Sequence, residues 1–259
     1  MNKNYSKENI KNYWDFQPCG VKYCPHQEGT REFFEFTEER RKKLEPFIEN
    51  FAEFNKWKDK KVLEIGCGVG VDTLKFAKNG AKIFAIDISP KSVALAKKRL
   101  DYNALDGEIA VSDAENLPFL DNQFDFVYSW GVLHHTPDIK KAVSEVFRVL
   151  KTGGRFCVML YNRRSLVGLQ LYLLYGLLKF RPFRRLKDVF ADHLESPGTK
   201  ALIKAEIEAL FSIFPTFKID TVVTPYDVRI GKRLFLPRVF QRLIPKKIGF
   251  FFIITGEKS

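Results

Sequence analysis

The chain is poor in cysteine, with four among 259 residues, and equally poor in histidine. Cys67 lies in a glycine-rich turn and Cys157 in an apolar run, so neither reads as half of a disulfide, and a reduced intracellular chain is expected. Cys19, Cys24 and His26 form a C-x4-C-x-H cluster, but no second cysteine pair supplies a fourth ligand, so no metal is expected there. No apolar run is long enough to span a bilayer. The longest, Leu166 to Leu178, is shorter than the ~20 residues required and contains Gln170 and two glycines. The N-terminus is polar and charged, unlike a secretory signal. These absences point to a cytoplasmic protein and leave membrane association at the surface open. There is no internal repeat.

Charge is unevenly placed. The formal net charge is +12, yet residues 1–160 hold 25 basic against 23 acidic side chains, while residues 161–259 hold 18 against 8. The basic C-terminal part favours an anionic partner: a membrane surface, a phosphorylated or glycan-linked lipid, or nucleic acid. No nucleic-acid-binding module is recognisable, which makes nucleic acid the weaker of these.

Lys61 to Gly70, KVLEIGCGVG, organises the rest. A short apolar run ends in Gly66, Gly68 and Gly70, which reads as a strand, a tight turn and a helix starting near Asp72 or Thr73. Such a turn lets backbone approach a ligand, and the helix N-terminus adds unpaired N–H groups. The dinucleotide fingerprint G-x-G-x-x-G is missing, because its last glycine would fall on Val71. Glu64, two residues before the first glycine, would repel a pyrophosphate and suit an amine. Beyond this turn the chain alternates. Strands are expected at Ala81 to Ile86, Glu108 to Val111, Phe124 to Ser129 and Arg155 to Tyr161, with helices from Ser89-Pro90 to Tyr102 and from Ile139 to Leu150. This order predicts a parallel sheet covered on both faces, with ligands beyond the strand carboxyl ends. Glu64, Asp87, Asp113 and Ser129-Trp130 all fall at such ends.

Four motifs in this order and spacing, E-x-G-x-G-x-G, Asp87, Asp113 in SDAENLPF, and SWGVLHHTPD from Ser129 to Asp138, resemble those of class I S-adenosylmethionine (SAM)-dependent methyltransferases of the type 11, small-molecule group. The resemblance covers roughly Trp57 to Tyr161. It implies a Rossmann-like, seven-stranded, doubly wound α/β sheet, with strands 6 and 7 as an antiparallel closure. The cofactor it implies is SAM, held by Glu64, Gly66, Cys67, Gly68, Gly70, Asp87, Ile88, Asp113, Ala114, Ser129 and Trp130. In this arrangement Asp87 takes the ribose hydroxyls, Glu64 the methionine amine, Asp113 the adenine amine, and Leu117-Pro118-Phe119 flanks the adenine. His134 and His135 are the candidate general bases, or else they support the loop and the cofactor. Tyr13, Trp14, Tyr161 and Tyr226 are candidates to face the acceptor. The Asn/Asp-Pro-Pro-Tyr/Phe run of amino-methyltransferases is absent, which disfavours DNA-adenine and protein-glutamine acceptors and leaves small-molecule, lipid-linked or glycan-linked acceptors, with O- or C-methylation favoured. RNA methylation and non-catalytic SAM binding are the alternatives.

Three parts are expected: an N-terminal helical extension (1–56), the SAM-binding core (57–161), and a helical insertion, basic segment and closing strands (162–259). The extension pattern YW-x3-PCG followed by EGTREFF also resembles a group of bacterial class I methyltransferases. Thr30 to Phe54 reads as helix, kinked or divided at Pro46, and serves either as a lid or as plain packing on the sheet. Ser165 to Phe180 reads as a near-continuous apolar helix followed by five basic residues from Lys179 to Lys187. It either lies in a membrane interface through 165–187 or is buried over the acceptor. A further helix is expected at Thr199 to Phe211, strands at Phe217 to Thr224 and Gly249 to Thr255, and a basic stretch between them at Pro225 to Ile248.

Overall fold

The computed structural model describes residues 5–230, 234–235 and 238–259, apart from the side chains of 229–240. Lys232 and Arg233 of the expected basic stretch lie outside the described residues.

Seven strands form one sheet: β1 (Lys61–Ile65), β2 (Lys82–Asp87), β3 (Glu108–Val111), β4 (Phe124–Trp130), β5 (Leu150–Tyr161), β6 (Thr216–Val222) and β9 (Phe251–Glu257). Their order is β3-β2-β1-β4-β5-β9-β6. The first five run parallel, and β9 inserts antiparallel between β5 and β6, from Arg155 opposite Glu257 to Tyr161 opposite Phe251. The expected closure is therefore present. A separate two-residue ladder joins β7 (Arg229–Ile230) to β8 (Leu234–Phe235). Strand order reverses between β1 and β4, and the crevice of an open parallel sheet lies outside the carboxyl ends at such a point.

The helices are α1 (Lys7–Phe16), α2 (Arg31–Leu44), α3 (Ile48–Ala52), α4 (Val71–Lys78), α5 (Pro90–Tyr102), α6 (Ile139–Val149), α7 (Leu166–Tyr175), α8 (Leu186–His193) and α9 (Lys204–Leu210). Local chemistry sets several starts. Ser89 Oγ accepts from Ser92 N with Pro90 at the first helical position, and Asp138, Thr30 and Ser165 cap α6, α2 and α7 in the same way. Pro46 divides α2 from α3, where its missing N–H and ring forbid a continuous helix.

Side chains of β4 alternate between the two faces. Phe126, Tyr128 and Trp130 join Phe54, Trp57 and Phe76 on one side. Val127 joins Val143, Val146, Phe156 and Phe211 on the other. Trp57 stacks on Phe126 with ring centroids 4.1 Å apart. A fully buried arginine ties the extension to the core. Arg99 Nε donates to the Val69 carbonyl at 2.8 Å, and its terminal nitrogens donate to the Phe34 carbonyl and the Thr37 hydroxyl of α2. Burial lowers its pKa to about 10.

Three expectations for the outer segments are corrected. The apolar helix is shorter: α7 stops at Tyr175, a single 3-10 turn covers Leu177–Lys179, and Phe180 takes a left-handed φ of 53°. The basic run then opens a helix of its own, α8. Residues 199–203 are not helical; they form a turn and an extended link before α9. α1 is an element that the mixed polar and aromatic sequence did not announce.

Candidate functional site

The turn after β1 is folded back on β2. The Gly66 and Cys67 amides both donate to the Ile86 carbonyl, at 2.7 and 2.9 Å. Gly66 has φ +83°, and a Cβ there would lie 2.1 Å from Val132 Cγ2, so the loop after β4 can seat only on glycine. At Gly70 (φ +78°) a Cβ would meet Ala96 Cα of α5 at 2.9 Å. The turn is thus a bare-backbone cradle at the strand ends, opening α4.

Asp87, the last residue of β2, braces it. Its Oδ2 accepts from Gly68 N and its Oδ1 from Ser89 N, each at 2.9 Å. A carboxylate accepts about four hydrogen bonds, so acceptor capacity remains on both oxygens. Burial raises the Asp87 pKa, against the lowering effect of the Ser89, Gly68 and Ile88 amides. Ile88 is half-buried and Cys67 is buried, with its thiol pushed up by burial and by Asp87.

Behind the cradle lies a buried charge cluster. Glu64 Oε2 accepts from the Thr73 hydroxyl at 2.5 Å, and burial together with the Asp72 carboxylate pushes its pKa well up. Burial alone would raise Asp72 as well, but the Arg41 guanidinium, 2.6 Å away, outweighs it and holds Asp72 low. Asp72 Oδ2 also accepts from the Tyr128 hydroxyl at 2.9 Å. Asp72 Oδ1 and Arg41 Nε are buried without a hydrogen-bond partner among the described residues. Sequence reasoning missed Arg41 and Glu45, an i,i+4 pair at the end of α2, Asp72 on α4 and Tyr128 on β4, which share no short motif.

Trp130 belongs to this cluster. Its Nε1 donates to Glu45 Oε2 at 2.6 Å, and its ring packs on Tyr128, Phe47 and Phe251. Alternation along β4 places Trp130 on the Phe126 face, the side that also carries Glu64 and Tyr128. Ser129 is fully buried and its hydroxyl donates to the Ile65 carbonyl at 3.2 Å, so its side chain holds β1 to β4. In the Leu117–Phe119 loop, Leu117 is buried and Phe119 packs on Phe84 and Phe124.

The two histidines differ sharply. His134 is fully buried between His135 and Tyr161, with ring centroids at 4.3 and 3.9 Å. Neither ring nitrogen has a partner in hydrogen-bond geometry, although the Met159 carbonyl lies nearby. Burial, with His135 beside it, drives its pKa well down. His135 Nε2 is likewise buried without a hydrogen-bond partner among the described residues, so neither imidazole has an open approach while the surrounding side chains stay in place. His135 Nδ1 lies 2.8 Å from Ser196 Oγ and 3.0 Å from Thr199 Oγ1. The Thr199 hydroxyl donates to the Ser196 carbonyl at 2.6 Å, so Thr199 Oγ1 can only accept from this ring, whereas Ser196 Oγ can accept from Nδ1 or donate to it. Nε2 faces Glu195 Oε2, 3.4 Å away. The same Glu195 oxygen accepts from the Tyr161 hydroxyl at 2.8 Å. Glu195 was not singled out from the sequence; the only signal was an acid beside a Ser-Pro-Gly turn in a part of the chain with few acids. One donor atom each from His134, His135 and Glu195 lie within 4.8 Å of one another, close enough to share a cation. The Cys19, Cys24 and His26 donors form no such group among the described residues.

α1 lies across three strand ends. At one end Lys7 Nζ pairs with Asp113 Oδ2 at 2.5 Å and Glu115 Oε2 at 2.6 Å, after β3. At the other end Asp15 Oδ1 accepts from Ser89 Oγ and Lys91 N, after β2. Trp14 meets His135 edge-on at 5.0 Å, after β4, and Tyr5 donates to Asp192 at 2.5 Å. Asp113 Oδ1 is taken by Glu115 N, and Ala114 is buried beside it. α2 packs on the core through Phe33 and Phe34 instead. Tyr226 donates to Glu45 at 3.3 Å and packs on Phe251.

Residues 63–158 match the family model of the methyltransferase domain. Among curated proteins the chain is similar to a sterol 4-C-methyltransferase of Caenorhabditis elegans, 34% identical over 98 residues, covering 37% of this chain and 29% of that one. It is also similar to a chloroplastic tocopherol O-methyltransferase of Arabidopsis thaliana, 36% identical over 112 residues, covering 42% and 32%. The chain spans about a quarter to a half of the length of the curated relatives it matches. The solved structure of magnesium protoporphyrin IX methyltransferase from Synechocystis, with bound S-adenosylhomocysteine, superposes with a TM-score of 0.62 at 16% identity, over 98% of this chain and 100% of that one. The cradle has room for such a group at Gly68, where a Cβ would meet only Cys19 Cβ at 4.0 Å, and the buried Glu64 carboxyl, raised by burial and by Asp72, suits an amine. Residues 63–158 thus match a methyltransferase domain, on a sheet whose order and glycine turn are those of the class I methyltransferase fold.

Proposed function

We propose that the protein transfers a methyl group to a small-molecule acceptor of apolar or lipid-linked character, with His135 as the general base. The observation that carries this reading is the Tyr161–Glu195–His135 chain, set beside the glycine cradle at the strand ends. When bound, SAM supplies a methyl carbon made electrophilic by its cationic sulfur. Asp87 takes the ribose hydroxyls on its remaining lone pairs. Glu64 and Asp72 receive the methionine amine, and Arg41 Nε is the buried donor available for its carboxylate. Gly66, Cys67, Gly68 and Gly70 offer backbone, while Ile88, Asp113 and Ala114 line the adenosine side. Ser129 acts on the cradle only through Ile65. α1 would serve as the cover, and Lys7 would have to leave Asp113 for that carboxylate to hold the adenine amine.

At the acceptor, His135 Nε2 takes the hydroxyl proton as the oxygen attacks. Ser196 and Thr199 keep the other nitrogen protonated, and Glu195 stabilises the imidazolium that forms. Tyr161, Tyr226, Tyr13 and Trp14 surround this point with aromatic surface, which suits an apolar acceptor. The sterol and tocopherol relatives support that class. The test is a transfer assay with methyl-labelled SAM and cell extract, the products divided into organic, aqueous, nucleic-acid and protein fractions. Label in the organic fraction is the expected result. Label in nucleic acid would move the acceptor to RNA, and no label despite SAM binding would make the protein a non-catalytic binder. Loss of transfer on treatment with a chelator would make His134, His135 and Glu195 a cation site in place of a proton relay.

A further inference from the structure

α7 is apolar on every side. Val167 and Gly168 face inward, against Phe190 of α8. Leu169, Leu173, Leu174, Leu177 and Leu178 recur along the other side through the 3-10 turn and are exposed, Leu178 at 69%. A helix that is apolar all round belongs in a core or against lipid, yet half of this one faces outward. The chain that follows adds two phenylalanines with almost no cover, Phe180 at 93% and Phe183 at 97% exposure. A single exposed leucine needs no explanation, but seven large apolar side chains within fifteen residues do.

The charge around this surface is predominantly basic, with Asp188 and Asp192 of α8 paired to Arg185 and Arg184. From Asn162 to Lys187 there is no acidic residue, and there are seven arginines and lysines. Lys179, Arg181, Arg185 and Lys187 are exposed, and Lys179 and Arg181 enter no ion pair among the described residues. A second exposed leucine site, Leu243 beside Arg242, Lys246 and Lys247, belongs to the segment whose Gly249 carbonyl accepts from Asn162 just before α7.

We propose that the α7–α8 connection is a docking surface for an anionic lipid bilayer. Phe180, Phe183 and the leucine stripe would enter the acyl boundary, and the flanking lysines and arginines would meet lipid phosphates. No helix among the described residues is long and apolar enough to cross a membrane, so the contact is with one face. A second copy of the chain fits less well. A two-fold contact would set this basic patch against itself. Nucleic acid would answer the charge but leave the phenylalanines and leucines wet. The same segment runs through α8 and two residues later supplies Glu195 to the His135 cluster, so an acceptor held in lipid would be met at the edge of the site.

Sedimentation of the full chain with vesicles tests this without cofactor or acceptor, so its outcome is independent of the proposed reaction. Phosphatidylcholine vesicles and phosphatidylcholine–phosphatidylglycerol vesicles are compared at two salt concentrations. Binding to the anionic vesicles alone, weakened by salt, is expected. Phe180→Ser with Phe183→Ser should cut partitioning at least ~10-fold, and Lys179→Gln with Arg181→Gln about fivefold per charge. Both pairs are exposed, and unchanged SAM affinity by calorimetry checks that the fold is intact. Three results would overturn the proposal: no vesicle binding by the unaltered chain, equal binding by the serine variant, or a concentration-dependent dimer that the serine variant abolishes.

Discussion

The glycine turn after β1 and the His135 cluster after β4 occupy neighbouring strand ends but are made of different material. The turn is backbone from one ten-residue stretch, and its partners Asp87 and Ser89 follow within about twenty residues. The cluster is made of side chains gathered from afar: Trp14 from α1, Tyr161 from the end of β5, Glu195, Ser196 and Thr199 from the link after α8. A binding surface made of backbone tolerates little change at its glycines and makes few demands elsewhere. A reactive cluster made of side chains can be refitted by altering the segments that donate them, while the sheet stays the same. The cradle accordingly matches relatives with differing acceptors, and the match stops at residue 158, before Tyr161 and Glu195.

If the two regions divide the labour this way, variants should separate them. The largest effect is expected at His135. His135→Ala should lower transfer by about 100- to 10 000-fold while calorimetry finds SAM affinity unchanged; a parallel loss of affinity would place His135 in the cradle. Asp87→Ala is the reverse case. Losing two charge-assisted hydrogen bonds should weaken SAM binding by about 100-fold or more, and unchanged affinity would remove Asp87 from the ribose. The smallest effect concerns His134, which burial keeps neutral. Its folded pKa is depressed, so only the unfolded chain gains its proton as pH falls below about 6.5, and stability should decline there with the slope of one proton. His134→Leu should remove that slope from denaturant melts taken between neutral and mildly acidic pH. An unchanged slope would mean that another group carries it.

The parts legible in sequence are those with local causes. All seven sheet strands were legible as short apolar runs between capped helices and turns, the central ones because they are buried on both faces, while β3 and β6 at the sheet edges bury little. Asp87 was legible because a strand end at that distance from a glycine turn has one geometry. Glu45 and Trp130 were not, since a hydrogen bond between residues 85 apart in sequence leaves no local trace. α7 was read too long because hydrophobicity does not record that Gly176 and the left-handed Phe180 turn the chain. α8 was hidden by its own basic residues, and α1 by aromatic residues spread around its circumference.

α1 carries a kinetic consequence. It buries a single apolar side chain, Ile10, and is otherwise held by Lys7, Asp15 and Tyr5 acting as polar latches at its ends. α2, by contrast, is bolted to the core through Arg99. Under the cover role proposed for α1, the residence time of a ligand in the cradle is set by how often these latches part together. Two of the three latches involve an ion pair or a charged side chain at a helix end, which counterions weaken. Ionic strength then acts as a clock on ligand exchange: salt shortens the closed interval without touching a single contact in the cradle.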